Sequence, residues 1–338
     1  VRLLWAALLL LVGSSALALA DDSWVGKRIM LKGAPKLAIV RNKGDDQTAA
    51  TELKYPSYRV ERDDDGWLLV RQDGVGYRFD KSQAVLLEDA ANYFTDRIRE
   101  RPRDGELYTR RAVAYSLTGK PDLARKDFEE AVRLLRRSAP ARHNLGLLEL
   151  GEKQYDKAIK AFDDAIRLDP KYADAFAARA SARRKKGDLE GALQDCEQAI
   201  RLKPKDPSLF RDRASIRIAK KEYDRATQDY DEAIRLGPKD PTSHMAVAWL
   251  LATCPDPKYR DGKRAVEHAR QACELSEWKR PICIDTLAAA YAEIGDFDEA
   301  VKWQKKALED DQLDREDRAG YEKRLKSYDQ KKPWRDEE

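Results

Sequence analysis

Histidine and cysteine are scarce in this sequence, with three and four in 338 residues. No two cysteines stand at C-x-x-C spacing, and none of His143, His244 and His268 belongs to an H-E-x-x-H pair. Zinc and redox signatures are therefore missing. So are a phosphate-cradling loop and a G-x-S-x-G elbow, and Gly74-Val75-Gly76 lacks the third glycine of a dinucleotide fingerprint. An enzyme, a cofactor and a bound metal are not expected, because the first requirements of a reactive site are unmet. An excess of one charge is lacking as well. The 65 Lys+Arg and 61 Asp+Glu leave +4, and acids alternate with bases along most of the chain. Phosphate-binding proteins gather basic residues on one face or tail, so nucleic acid is not an expected partner. Glycine (17) and proline (14) are few. What is abundant is charge, 37% of residues, against about 25% in ordinary globular proteins. With 42% apolar residues, this composition suits long solvent-exposed helices that still bury a core.

Long apolar runs are confined to the first residues. Arg2 precedes the run Leu3 to Val12, and small residues end at Ala18-Leu19-Ala20. This is the layout of a secretory signal over residues 1–20, with Asp21 as the expected mature start. The run is about half of the ~20 residues that a bilayer crossing needs, so cleavage is expected over retention as an anchor. No cysteine follows for lipid attachment, and Val1 in place of Met fits an alternative bacterial start codon. The expected location is the periplasm or cell envelope of a bacterium.

Residues 24–87 read as short strands: 25–31, 36–40, 58–62, 67–70, 76–79 and 84–87. Asp63-Asp64-Asp65-Gly66 between two β-rich runs is a hairpin signal. Such a row of short strands resembles a small SH3-like barrel. Trp24, Tyr55, Tyr58, Trp67, Tyr77 and Phe79 either fill its core or line a ligand groove.

From residue 88 the chain obeys a period. Ala124, Ala158, Ala192 and Ala226 stand 34 residues apart, as do Ala131, Ala165, Ala199 and Ala233. Phe128, Phe162, Cys196 and Tyr230 keep the same spacing, and so do Pro170, Pro204 and Pro238. A 34-residue period with small residues at helix crossings is the mark of a helix–turn–helix repeat. The runs Gln154-Tyr155-Asp156-Lys157-Ala158-Ile159 and Asp163-Asp164-Ala165-Ile166-Arg167-Leu168-Asp169-Pro170 closely resemble the tetratricopeptide family. The resemblance implies a mainly α fold, an α-α superhelix or solenoid over residues 88–311. A partial repeat from Glu88 to Pro102 precedes six full ones beginning near Gly105, Ala139, Ala173, Pro207, Pro241 and Pro281. Repeat five breaks the period: Ala226 to Ala265 is 39 residues, and the surplus falls within Cys254 to Gly262. Residues 312–338 are expected as a capping helix, with Tyr321, Leu325 and Tyr328 on one face, and a frayed charged tail.

Two structural expectations follow from the repeats. Arg111, Arg179 and Arg213 take the usually apolar seventh position, and Asp127, Asp195 and Asp229 stand sixteen residues later. Repeat two has Leu145 and Ala161 instead. Both partners vanish together, which predicts an Arg–Asp bridge between the two helices of repeats one, three and four. Cys273 and Cys283 close one helix and open the next, so they are either a disulfide or two unpaired, partly buried thiols; Cys196 is expected as a buried free thiol.

The resemblance also implies a concave groove lined by the first helix of each repeat. Its inward positions include Val113, His143, Leu147, Leu150, Ala177, Ser181, Arg184, Arg211, Ser215, Ile218, Met245 and Trp249. Leu147–Leu150 and Met245–Trp249 form apolar ends with Arg184 and Arg211 between them. They either hold a peptide whose apolar anchors flank an acidic residue, or merely fill the inner surface between helices. The family's clamp for a terminal carboxylate is not expected, because Thr109 and Val113 replace its Lys and Asn and only Asn144 matches. The expected function is a non-enzymatic exported scaffold for a protein or peptide. The alternative is a cell-wall or glycan-associated protein gripped by the β module, with the repeats as spacer.

Overall fold

The computed structural model describes residues 27–32, 38–40, 57–64, 67–72, 75–311 and 313–336. The signal-like residues 1–20, with Trp24 and Tyr55, lie outside them. The chain divides into two compact units, residues 1–148 and 149–338.

The first unit opens with six strands: β1 (Arg28–Leu31), β2 (Ala38–Val40), β3 (Tyr58–Asp64), β4 (Trp67–Gln72), β5 (Val75–Asp80) and β6 (Ala84–Leu86). They form one sheet in the order β2-β5-β4-β3-β1-β6, antiparallel throughout. A register shift between Val60 and Arg62 marks a bulge in β3, the kind of irregularity that bends a strand. No pairing joins the edge strands β2 and β6 among the described residues. Ile29, Val60, Leu68 and Val70 make the core, and the rings of Tyr58 and Tyr77 are buried with them, whereas Trp67 is 40% exposed.

The other apolar side of the module continues into helices. Met30, Val85 and Leu87 pack with Ala90, Phe94 and Ile98 of α1 (Leu87–Glu100) and Leu107 of α2 (Gly105–Leu117). Helix α3 (Pro121–Leu134) follows, and α4 (Ala139–Gly151) contains the division between the units.

The second unit continues through α5 (Tyr155–Leu168), α6 (Ala173–Lys186), α7 (Leu189–Leu202), α8 (Pro207–Ala219), α9 (Tyr223–Leu236) and α10 (Pro241–Thr253). It ends with α11 (Gly262–Leu275), α12 (Pro281–Glu293), α13 (Phe297–Leu308) and α14 (Arg315–Asp329). Among the described residues no helix is long and apolar enough to cross a membrane.

Each second helix carries two alanines seven residues apart on one face. Ala158/Ala165, Ala192/Ala199, Ala226/Ala233, Ala265/Ala272 and Ala300/Ala307 are all 0% exposed. Without side-chain bulk there, neighbouring backbones close up, and Phe162, Cys196 or Tyr230 fills the space between the alanines.

The turn inside the repeats follows the same period in its backbone. Gly119, Lys153, Gly187 and Lys221, each 34 residues after the last, all have positive φ, between 61° and 93°. Glycine accepts this left-handed conformation freely, whereas a side chain costs about 1 kcal/mol or more there. Lys153→Gly is therefore expected to raise stability by about 0.5 kcal/mol, net of the entropy a glycine adds to the unfolded chain. A higher urea midpoint at unchanged slope would register it.

The three Arg–Asp pairs come together. Arg111 meets Asp127 through Nε (2.6 Å) and Nη2 (2.7 Å), and Arg179 meets Asp195 likewise at 2.9 and 2.6 Å. Arg213 Nη2 lies 2.6 Å from Asp229. Sequence reading missed two further donors one helical turn on: Arg183 and Arg217 each add an Nη1 at 2.8 Å to Asp195 and Asp229. Arginine also reaches backward, Arg179 to Asp163 at 2.5 Å and Arg111 to the Thr95 hydroxyl at 3.0 Å. A single guanidinium so joins the second helix of its own repeat to that of the one before.

One open expectation is decided and one is corrected. Of the two alternatives for Cys273 and Cys283 the disulfide does not form: all four cysteines are free and buried. Burial pushes the Cys273 thiol up to about 12 and raises Cys283 as well, so neither readily supplies the thiolate that starts disulfide exchange. The tail is not frayed over 331–336. Lys332 N donates to Ser327 O (3.0 Å), and the residues that follow fold back onto α10.

Candidate peptide-binding groove

Helices α10 and α12 differ from the other first helices of the second unit. α6 and α8 carry several charged residues, Arg184 and Arg211 among them, whereas α10 is apolar nearly all round, and α12 is buried without a break from Cys283 to Ala290. A helix that is apolar on every side must be covered on every side. The inner cover here is α14 and the segment after it. Tyr321 and Tyr328 of α14 are buried, and Trp334 packs against the same core.

The cover leaves a cavity of about 500 Å³. Ile218 at the end of α8, Met245 and Trp249 of α10, and Ile282 of α12 form its apolar walls; Asp285, Asp317, Arg324 and Asp336 give it polar groups. Ile282 is 44% exposed.

Asp285 is the one charge in the run Pro281 to Ala292. Its side chain is 2% exposed, and Oδ1 accepts from Arg324 Nε (2.7 Å) and Gln304 Nε2 (2.6 Å). Burial still raises its pKa above the ordinary value, outweighing Arg324. The Arg324 guanidinium lies 5.1 Å from the Tyr321 ring centroid and 5.4 Å from that of Trp249, within cation–π range. Beyond it, Asp336 Oδ2 accepts from Trp249 Nε1 and lies 2.9 Å from Thr253 Oγ1. Burial raises Asp336 too.

Of the residues singled out from the sequence, Ile218, Met245 and Trp249 share this cavity. Leu147, Leu150, Arg184 and Arg211 are outside its lining. Leu150 packs against the core of Ala158, Phe162 and Ala182, and Leu147 is 45% exposed. Arg211 is ion-paired at 2.5 Å with Asp240, whose carboxylate caps α10. Arg184 is half-buried, and with Arg211 it opposes the burial that raises Asp212. Sequence reasoning missed Ile282, Asp285, Arg324 and Asp336. A lone aspartate in an apolar helix was the available signal for Asp285; nothing periodic pointed to its partner. His244 and His268 face each other with Nδ1 atoms 3.2 Å apart. Among the described residues no cluster of three metal-binding side chains occurs.

The architecture is that of a repeat scaffold, a class typical of protein–protein interaction. Residues 105–134, 143–207, 179–250 and 282–310 each match a family profile described as tetratricopeptide repeat. The chain carries tetratricopeptide repeats, and the unmatched stretch 251–281 contains the surplus residues of repeat five. None of the matching profiles is that of a catalytic family. No curated protein matches the chain. Similar solved structures include the APC/C hetero-tetramer Cut9-Hcn1, 17% identical with a TM-score of 0.57 over 71% of this chain and 45% of that one. Yeast Tom70 is 19% identical with a TM-score of 0.50, over 72% and 58% of the two chains. PilF of Pseudomonas aeruginosa is 18% identical with a TM-score of 0.50, over 61% and 92%. At these identities the likeness concerns the fold.

Proposed function

We propose that the chain is a non-enzymatic scaffold whose inner face at α8, α10 and α12 holds a segment of a protein partner. The observation that carries this reading is the exposed Ile282 beside Met245 and Trp249 at the mouth of a 500 Å³ cavity. An apolar pocket with a few convergent polar groups is the usual form of a binding site, and tryptophan and arginine at such places dominate binding energy. Export to a bacterial envelope belongs to the same proposal and rests on the pattern of residues 1–20. The N-terminal module is read as SH3-like on its short antiparallel strands. Its burial of Tyr58 and Tyr77 in the core speaks for a structural use of those rings over a glycan groove.

Site-specific photo-crosslinking tests the groove. A crosslinker replacing Met245 is expected to trap a partner from envelope extract, and one replacing Arg235, exposed on α9, to trap none. Capture from Arg235 alone would move the binding surface to the outer helices.

A further inference from the structure

We propose that Trp334–Asp336 is a built-in ligand of this groove, displaced by a partner segment with an aromatic residue two places before an acidic one. The inference rests on the groove reading above.

The segment is tied to the end of α10 by one backbone and one side-chain hydrogen bond. Asp336 N donates to Thr253 O at 3.1 Å, and Arg335 Nη1 donates to Ala252 O at 3.2 Å. Both carbonyls belong to the last turn of α10, where a helix has acceptors without intrahelical donors. Arg335 Nη2 also pairs with Glu293 at 2.5 Å. The side chain of Asp336 is read by Trp249 Nε1 and Thr253 Oγ1, and the half-buried Trp334 lies against Lys323 (5.1 Å) and Arg324 (5.8 Å). A backbone bond together with side chains in specific places is the kind of contact by which grooves read peptide segments.

The same contacts show why the segment can be displaced. Thr253 Oγ1 is 2.8 Å from Trp249 O and 2.9 Å from Asp336 Oδ2. A hydroxyl has one proton to donate, so it cannot serve both oxygens when Asp336 is ionised. A carboxylate at a helix C-terminus also meets the unfavourable end of the helix dipole. Moreover, Asp336 is the segment's contribution to the cavity lining, and Trp334 is not among the residues that line it beside Ile218, Met245 and Ile282. A partner repeating the aromatic-x-acidic contacts and adding an apolar side chain for that cavity gains what the built-in segment lacks.

The probe is a fluorescent peptide of this chain's own residues 331–338, KKPWRDEE, titrated against the full chain by polarisation. With Trp334→Ala/Asp336→Ala, the peptide is expected to bind at least tenfold tighter than with wild type. Adding Trp249→Ala to that variant should abolish the gain. Asp336→Ala alone removes no core side chain and serves if the double variant fails to fold. Equal binding to wild type and released chain, or none to either at 1 mM peptide, overturns the proposal. Crosslinking from position 245 that is equal in wild-type and released chains would leave the groove standing and remove the built-in ligand. Absence of crosslinking from both would remove the groove itself.

Discussion

Asp127→Ala is expected to cost about 3 kcal/mol of stability, whereas Arg111→Leu/Asp127→Ala together cost less than about 1 kcal/mol. The Asp127 side chain is 8% exposed and receives two short bonds from Arg111. Removing it strands a guanidinium in a half-dry crossing, and an uncompensated buried charge is the expensive case. The double substitution instead recreates repeat two of the same chain, where Leu145 and Ala161 hold these places. There Leu145 packs beside Phe128 and Ala112, so a leucine at the seventh position has a natural apolar setting. Urea unfolding of wild type, both single variants and the double variant closes the cycle. A double variant as unstable as Asp127→Ala would mean that the alanine hole, rather than the stranded charge, carries the cost.

Arg324→Met should be comparably damaging, at about 3 kcal/mol near neutral pH. Methionine keeps the apolar stem against Trp249 and Tyr321 but leaves Asp285, with its 2% exposed side chain, without its cation. The pH dependence separates this cause from lost packing. Asp285 has a folded pKa raised above its ordinary 3.8. Its favourable neutral form is fully present below 3.8 and lost as pH rises through the raised value. Arg324 holds that pKa down in the wild type, so without it Asp285 titrates higher still. The deficit of the variant should therefore shrink as pH falls through the variant's own value, because a protonated carboxyl needs no arginine. Denaturation midpoints of variant and wild type across acidic and neutral pH measure it. A deficit independent of pH would assign the loss to packing.

Helix pairing was legible from the sequence because its causes recur. Ala158 and Ala165 have equivalents one period away, and each marks a backbone crossing that tolerates nothing larger. The Arg–Asp bridges were legible for a related reason: repeat two lacks both partners, so the chain supplies its own comparison. Contacts made once give no such signal. Asp285 and Arg324 stand 39 residues apart, outside any period, and Asp336 meets Trp249 across 87 residues. Part of the apolar inner face that suggested a partner, Trp249 above all, is covered by the chain's own trailing segment. Proximity along the chain left Cys273 and Cys283 open between a disulfide and two thiols, and position in the repeat alone could not decide between them.

Repeat five shows what a change of length alone can create. Its surplus residues take the chain away from α10 through a short 3-10 turn, Pro257–Tyr259, and Arg260 fastens that excursion to Glu293 at 3.1 Å. The same carboxylate group receives Arg335 on its other oxygen. The long loop and the trailing segment thus share an anchor, beside the carbonyls at the end of α10. Loss of five codons there would restore the ordinary repeat length and leave Arg260 no such excursion from which to hold Glu293. Descendants of such an event could keep every stacked helix pair while losing the edge that holds the trailing segment. In a repeat array, recognition can therefore be gained or lost by insertion and deletion at one turn, without a single substitution in the groove.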